Sequence, residues 1–306
     1  MAKITVIGSF NIDMVIHMDA FPLPGQTVMA NPPKYLPGGK GANQAVACAR
    51  VGGDVEMIGK LGDDAYGRDF RCLMQDEGID TSHVFTSALP TGMALIQINA
   101  AGENQICVIP CANHDLDYAD VQAIRPLLAH TEWVILQLEL RPDVTFELIR
   151  LCHEQGVRVV LNPAPAIPIE KEVLALVDYL TPNETELSIL SGMPVETDEQ
   201  LRAATEHLLS LGTKNVIATV GSRGAVIANA DGFRIIPGFP VTPVDTVAAG
   251  DSFNGAMVHF LSTGLPIEQA VRYANAVGAL TVTKSGAIPS LPTREQLEEF
   301  LQSRGG

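Results

Sequence analysis

The chain has no apolar run of membrane-spanning length and no charged-then-apolar leader, since Lys3-Ile4-Thr5-Val6-Ile7-Gly8 already reads as a strand. These absences predict a cytoplasmic protein. Basic residues are scarce: 20 Lys and Arg stand against 35 Asp and Glu, a formal net charge of −15. Such a balance argues against nucleic acid or an anionic membrane as a partner. It leaves room for a small anion, because helix termini, a few basic side chains and a divalent metal act at short range, where the local field decides. The cysteines, Cys48, Cys72, Cys107, Cys111 and Cys152, are odd in number and scattered with no C-x-x-C pair, so neither a disulfide framework nor a zinc site is suggested.

Two nucleotide-binding signatures are missing as well. Gly8-Ser9-Phe10-Asn11-Ile12-Asp13 follows the first strand without supplying G-x-G-x-x-G, which argues against a dinucleotide fold. Residues 53–60 end in Gly59-Lys60 but fail as a P-loop, because the glycines are spaced too widely and Leu61 replaces the Ser or Thr that would hold magnesium. No repeat or low-complexity linker divides the chain. With 306 residues, 46% of them hydrophobic, it can bury a sizeable core, and we expect one main domain over residues 1–306.

What is present is an alternation of short apolar strands with helical periodicity. Helices are expected at 45–51, 66–77, 117–129, 142–155, 185–191, 198–211, 249–261, 266–282 and 293–302, and strands at 133–137, 157–161, 178–180 and 216–220. These are βαβ units. They predict an α/β fold, a mostly parallel central sheet with helices on both faces. Further strands at 14–18, 27–36, 93–99 and 105–109, the last two flanking a hairpin signal at Ala100-Ala101-Gly102-Glu103-Asn104, predict a small separate sheet inserted at about 13–37 and 92–110. That sheet suits a flap over a site or a dimer contact.

Polar residues gather where strands end: Asn11 and Asp13, Glu139, Asn162, Asn183 with Glu186, and Gly221-Ser222-Arg223-Gly224. Each is compatible with ordinary turn chemistry, but together they point to one sheet edge, where open α/β sheets bind ligands. Gly38-Gly39-Lys40-Gly41-Ala42-Asn43-Gln44 brings backbone N–H groups and an amide to a helix start, as a polyhydroxylated substrate requires, unless it is only a tight turn. In residues 245–256, DTVAAGDSFNGA, 241–244 read as a strand end and Phe253, Met257, Phe260 and Leu261 recur at helical spacing. Ala248, Ala249 and Gly250 then lie at a helix N-terminus, open to a phosphate. Asp251 beside them is either a base for a hydroxyl attacking that phosphate or a helix cap. Asp245 would repel the phosphate unless a cation sits nearby, or else it caps the turn.

The ordered set GGKGANQA at 38–45, PNETE at 182–186, GSRG at 221–224 and DTVAAGDSFNGA at 245–256 resembles the ribokinase-like, or PfkB-type, sugar kinases, with the likeness reaching from the first strand to the Gly286 region. The resemblance implies the ribokinase-like fold with a small β-sheet lid, and ATP-dependent phosphorylation of a sugar, D-ribose at O5 first, with deoxyribose, another sugar or a nucleoside as alternatives. A sugar-sensing binder that has lost the chemistry is a remoter one. Asp251 would be the catalytic base and Ala248, Ala249 and Gly250 the anion hole. Asn11, Asp13, Gly39, Lys40, Gly41, Asn43 and Glu139 would contact the sugar. Asn183, Thr219, Gly221, Gly224 and Asn275 would meet the nucleotide, with Glu186 and Asn183 close to a magnesium ion carried on the ATP phosphates. A potassium ion would lie on Asp245, the carbonyls of Val247, Thr281, Lys284 and Gly286, and the Ser290 side chain. The lid would pair with that of a second copy in a homodimer. Ser252 in place of Thr, Asn275 in place of His and Gln26 in place of Glu depart from the family pattern without removing a catalytic group.

Overall fold

The computed structural model describes residues 3–304, so the outermost two residues at each end of the expected domain lie outside the described residues. The first part of the chain forms β1 (Lys3–Ile7), β2 (Asn11–His17), β3 (Lys34–Gly38), α1 (Lys40–Arg50), β4 (Asp54–Gly62), α2 (Ala65–Asp76), β5 (Val84–Ser87), β6 (Gly92–Ile98) and β7 (Asn104–Ile109). Next come α3 (Tyr118–Ile124), β8 (Trp133–Gln137), α4 (Pro142–Glu154), β9 (Arg158–Asn162), α5 (Lys171–Leu174), β10 (Tyr179–Leu180), α6 (Glu184–Ser191), α7 (Asp198–Ser210) and β11 (Asn215–Thr219). The rest comprises β12 (Gly224–Asn229), β13 (Gly232–Pro237), α8 (Ala249–Ser262), α9 (Ile267–Thr281) and α10 (Arg294–Ser303).

Nine strands make the main sheet in the order β13-β12-β11-β10-β9-β8-β1-β4-β5, with all neighbours parallel except β11–β12 and β12–β13, so that β12 alone runs against the rest. Its strands read as unbroken apolar runs because both faces are covered, yet each splits its side chains by twos. In β8, Trp133 and Ile135 join the core under α1, α2, α8, α9 and α10, while Val134 and Leu136 join the core under α3, α4, α5, α6 and α7. A second, separate four-stranded sheet has the order β3-β2-β6-β7. The two sheets connect directly: β1 leads into β2 through Gly8-Ser9-Phe10, and β3 runs into α1.

Several expectations shift. Residues 27–36 do not form one strand: only Lys34–Gly38 pairs, after a lone Met18–Ala30 bridge, because Pro32 and Pro33 have no N–H for a ladder. Residues 241–244 are irregular, with Pro240 and Pro243 breaking any strand, and the Val244 and Asp245 N–H groups turn instead to Val282 O. The helix expected from residue 45 begins at Lys40, which places Asn43 inside its first turn. The helix expected to reach 129 stops at Ile124, and Pro126 lies in the 3-10 turn that follows. Strands β4, β5, β12 and β13 had no counterpart in the sequence reading.

Candidate active site

Glu139, Asn162, Asn183 and Gly221 follow or end the parallel strands β8, β9, β10 and β11 and so lie at the carboxyl edge of the main sheet, where α8 begins, whereas Asn11 and Asp13, expected at a strand end, stand inside β2 of the small sheet. Ala248, the N-cap of α8, adopts a left-handed backbone (φ 60°), an unusual conformation for a residue with a Cβ that costs roughly 1 kcal/mol or more. It turns the chain so that the first helical N–H groups look outward. The Ser252 N–H already bonds Ala248 O (2.8 Å) and that of Ala249 leans on Thr246 O (3.3 Å). Gly250 and Asp251 have no acceptor one turn back, as at any helix start.

Two cavities meet on this turn. A large one, about 780 Å³, is lined by Asn183, Thr219, Gly221, Gly224, Phe239 and Asn275 among others. A small one, about 180 Å³, is lined by Lys40, Asn162, Glu186, Ala248, Asp251 and Asn254 among others. Thr246, Ala249, Gly250, Asn183 and Thr219 line both. A mostly apolar chamber and a polar chamber thus share a wall of helix-start backbone, with a buried carboxylate on the polar side only.

Close packing of α8 on α1 sets that carboxylate. A Cβ at Gly255 would stand 2.4 Å from Gln44 O and 2.8 Å from Cys48 N, so only glycine lets the two backbones approach this closely. As a result Asn43 Nδ2 donates to Asp251 Oδ2 and Gln44 Nε2 to Asp251 Oδ1, each at 2.9 Å. Asp251 therefore does not cap α8 through its side chain; its oxygens turn to α1.

Asn11 and Asp13 open the lid strand β2 and share one of its faces. Asn11 Oδ1 accepts from Asn113 Nδ2 (2.9 Å), and Asn11 Nδ2 reaches Glu139 Oε2 (3.4 Å), which also receives the Ser9 hydroxyl and the Lys40 N–H (3.1 Å). Burial, then Glu139 and Asp251, push the Asp13 carboxyl up to about 7 against the pull of Lys40. For Lys40, burial works toward the neutral amine, but Asp251, Glu139, Glu186 and Asp13 outweigh it and hold the group above its ordinary value. The site concentrates negative charge around one half-buried lysine. Of the sugar-contact candidates, Lys40 and Asp251 line the small cavity; Gly39 and Gly41 flank Lys40 at the start of α1, and Asn43 and Glu139 reach the site through the bonds just described.

Asn183 and Glu186 form the capping box of α6: Asn183 N and Nδ2 donate to the Glu186 carboxylate (2.9 Å each), and Glu186 N donates to Asn183 Oδ1 (2.8 Å). Burial raises the Glu186 carboxyl, opposed by these bonds and by Lys40. Across the large cavity, the Asn275 amide nitrogen is spent on Ile236 O (3.0 Å) and Pro237 O (3.2 Å). Arg223, in the turn between Gly221 and Gly224, is tied to Glu184 and Asp198.

The six candidates for a monovalent cation come from the loop before α8, the last residue of α9 and the segment after it. Asp245 Oδ1 accepts from Val247 N (3.0 Å), and Oδ2 accepts from Gly286 N (2.9 Å) and Ser285 Oγ (3.4 Å). The Thr281 carbonyl accepts from Lys284 N (3.2 Å), and the buried Ser290 hydroxyl donates to Ala287 O (2.7 Å). One carboxylate among carbonyl and hydroxyl oxygens fits an alkali cation, and no cluster of three or more His, Cys, Asp or Glu able to hold a metal occurs among the described residues. The capping role of Asp245 is also real.

Sequence reasoning missed Ser9, Gln44, Asn113, Gln137, Thr246 and Asn254 as members of the site. The available signal was polarity inside apolar elements: Gln44 and Gln137 are essentially fully buried.

The family profile described as pfkB family carbohydrate kinase matches residues 1–294. The chain is 39% identical over 300 residues to a ribokinase of Haemophilus influenzae, with 98% of each chain covered. It is 36% identical to a deoxyribokinase of Salmonella typhi, with 97% of this chain and 98% of that one covered. Its structure superposes with a TM-score of 0.90 on an Arabidopsis thaliana ribokinase complexed with ribose and ATP, at 32% identity and 99% coverage of both.

Proposed function

Because this chain belongs to the pfkB family of carbohydrate kinases, we propose that it transfers the γ-phosphoryl group of ATP to O5 of D-ribose, yielding D-ribose 5-phosphate and ADP. The observation that carries this reading is the pair of cavities meeting at Ala249 and Gly250 with Asp251 on the polar side. ATP occupies the large cavity, its base and ribose between Asn275, Gly221, Gly224 and Thr219, and its phosphates directed at the start of α8. The sugar lies beside the polar chamber, next to Lys40 and Asp251, which line it, and reaches under the small sheet toward Asn11, Asp13, Gly39, Gly41, Asn43 and Glu139.

In the reaction Asp251 accepts the proton of the sugar's primary hydroxyl as that oxygen bonds to phosphorus and the bond to the bridging oxygen of ADP breaks. Charge developing on the transferring group meets the N–H groups of the Ala248–Ala249–Gly250 turn, already fixed by the αL cap. Lys40, half-buried and held above its ordinary value by its acidic neighbours, offsets the crowd of carboxylates. Asn183 and Glu186 would lie beside magnesium carried on the phosphates, which supplies further charge neutralisation. Asp245, Val247, Thr281, Lys284, Gly286 and Ser290 would hold potassium, stiffening the turn without touching substrate. A single domain with inserted lid strands, cytoplasmic and paired as a homodimer, completes the reading; no helix among the described residues is long and apolar enough to cross a membrane.

The similarity to a deoxyribokinase favours 2-deoxyribose as the second reading. An ADP-release assay over a panel of sugars decides between them: D-ribose is expected to give the highest kcat/KM, and a clearly higher value for another sugar overturns the substrate. In the same assay Asp251→Asn is expected to keep both KM values near wild type while kcat falls by about 10²-fold or more. Near-normal turnover would remove the base role.

A further inference from the structure

An ionised carboxylate only accepts hydrogen bonds, so whatever holds Asp251 must offer N–H or O–H. On Oδ1 that donor is Gln44, whose amide is buried in α1 between the helix and the sheet. Its second N–H goes to Asn162 Oδ1 (3.1 Å), and its carbonyl oxygen accepts from Gln137 Nε2 (2.7 Å) at the end of β8. Every orientation in this chain is forced. The Asn162 amide nitrogen is already donated to Thr181 O (3.0 Å), so its oxygen must face Gln44. Gln44 turns its nitrogen to Asp251 and Asn162 and has only its oxygen left for Gln137, which must then donate.

Gln137 reaches this place because residue 8 has no side chain: a Cβ on Gly8 would stand 2.0 Å from Gln137 Oε1. That oxygen has no partner, an uncompensated buried acceptor at the end of a fully buried strand. Packing alone would be better served by apolar side chains at both positions. The arrangement makes sense if the direction of the amides matters, since each points its positive end toward the carboxylate.

We propose that Gln44 is a positioning residue for the Asp251 carboxylate and that Gln137 acts through it. Together with Asn43 on the other oxygen, Gln44 fixes the plane of the carboxylate so that its remaining lone pairs face the small cavity. The inference rests on Asp251 being the base. Gln44 touches neither substrate in this reading, so its loss is felt in kcat and not in binding.

The test uses the full chain and compares Gln44→Met, Gln137→Met and the double variant with wild type and Asp251→Asn, measuring kcat and both KM values. A slightly misplaced catalytic group costs up to about 10²-fold. Gln44→Met is therefore expected to lower kcat by about 10- to 100-fold with both KM values within about 3-fold of wild type. Gln137→Met should lower it less, and the double variant should be no slower than Gln44→Met, because the outer amide has no separate route to the base. Unchanged kcat in Gln44→Met, a loss confined to KM, or losses that multiply in the double variant would each overturn the proposal. Should Gln44→Met fail to fold, Gln137→Met decides alone, a fall in kcat at constant KM supporting the proposal and unchanged kcat overturning it. Full activity in Asp251→Asn removes the base reading itself, whereas an inactive Asp251→Asn beside an intact Gln44→Met removes only this inference.

Discussion

Asp13 and Lys40 show what gathering several carboxylates around one ammonium costs at the level of single residues. Burial and the neighbouring carboxylates Glu139 and Asp251 raise the Asp13 carboxyl to about 7. The folded protein therefore binds a proton there between its ordinary value near 4 and about 7, where the unfolded chain does not. Stability at this group is greatest at low pH, falls as pH rises through that window, and is lowest above about 7. Asp13→Asn is expected to raise stability above pH 7 by roughly 2 to 4 kcal/mol, read by chemical denaturation, with little gain at pH 4. The same exchange should raise the KM for sugar sharply, since sugar hydroxyls need a carboxylate to donate to. In wild type the KM for sugar should climb as pH drops below about 7. A flat KM between pH 6 and 8 would show that Asp13 does not titrate in the site.

At the scale of elements, the start of α8 is held from outside the helix. Asp245 spans the loop before α8 and the loop after α9, tying Val247 N to Gly286 N through one carboxylate. The Val282 carbonyl adds a second tie, accepting from the N–H groups of Val244 and Asp245. A cation at this junction would tighten both loops and so steady the Ala248 turn. Initial rates in an alkali-free Tris buffer, with potassium chloride titrated against choline chloride at matched ionic strength, are expected to rise with potassium only. Asp245→Ala should abolish that rise and lower the basal rate, because the Val247 and Gly286 N–H groups lose their acceptor. Equal rates in both salts would leave Asp245 as a loop tie alone.

For the whole molecule the open surface is that of the small sheet. Strand β7 is an edge of the small sheet, exposed along its whole length, with Ile106, Val108 and Ile109 turned out. An open apolar edge is an invitation to pair with another strand, and a second lid would cover it while closing the sugar chamber from water. Sedimentation is expected to give a dimer at assay concentrations, and replacing Ile106 and Val108 by Lys should produce monomers with a raised KM for sugar. A wild-type monomer with full activity would remove this role from the lid.

The sequence by itself determined the α/β alternation, the separate small sheet and the four motifs that carry the family, because periodicity, turn residues and glycine spacing are local properties. It located Asp251 and the α8 start for the same reason. It did not disclose β4, whose Gly59, Lys60 and Gly62 imitate a loop, although it is a buried strand of the main sheet between β1 and β5. Nor did it disclose the antiparallel hairpin of β12 and β13 that extends the sheet beyond β11, in which β13 carries the Ile236 and Pro237 carbonyls that accept from Asn275. The partners of the carboxylate were decided only by tertiary structure. Gln44, Gln137 and Asn162 lie on three different elements, and nothing in the spacing of 44, 137, 162 and 251 says that these amides converge. They meet because Gly255 lets α8 press against α1 and the parallel order of β1, β8 and β9 brings their carboxyl ends side by side.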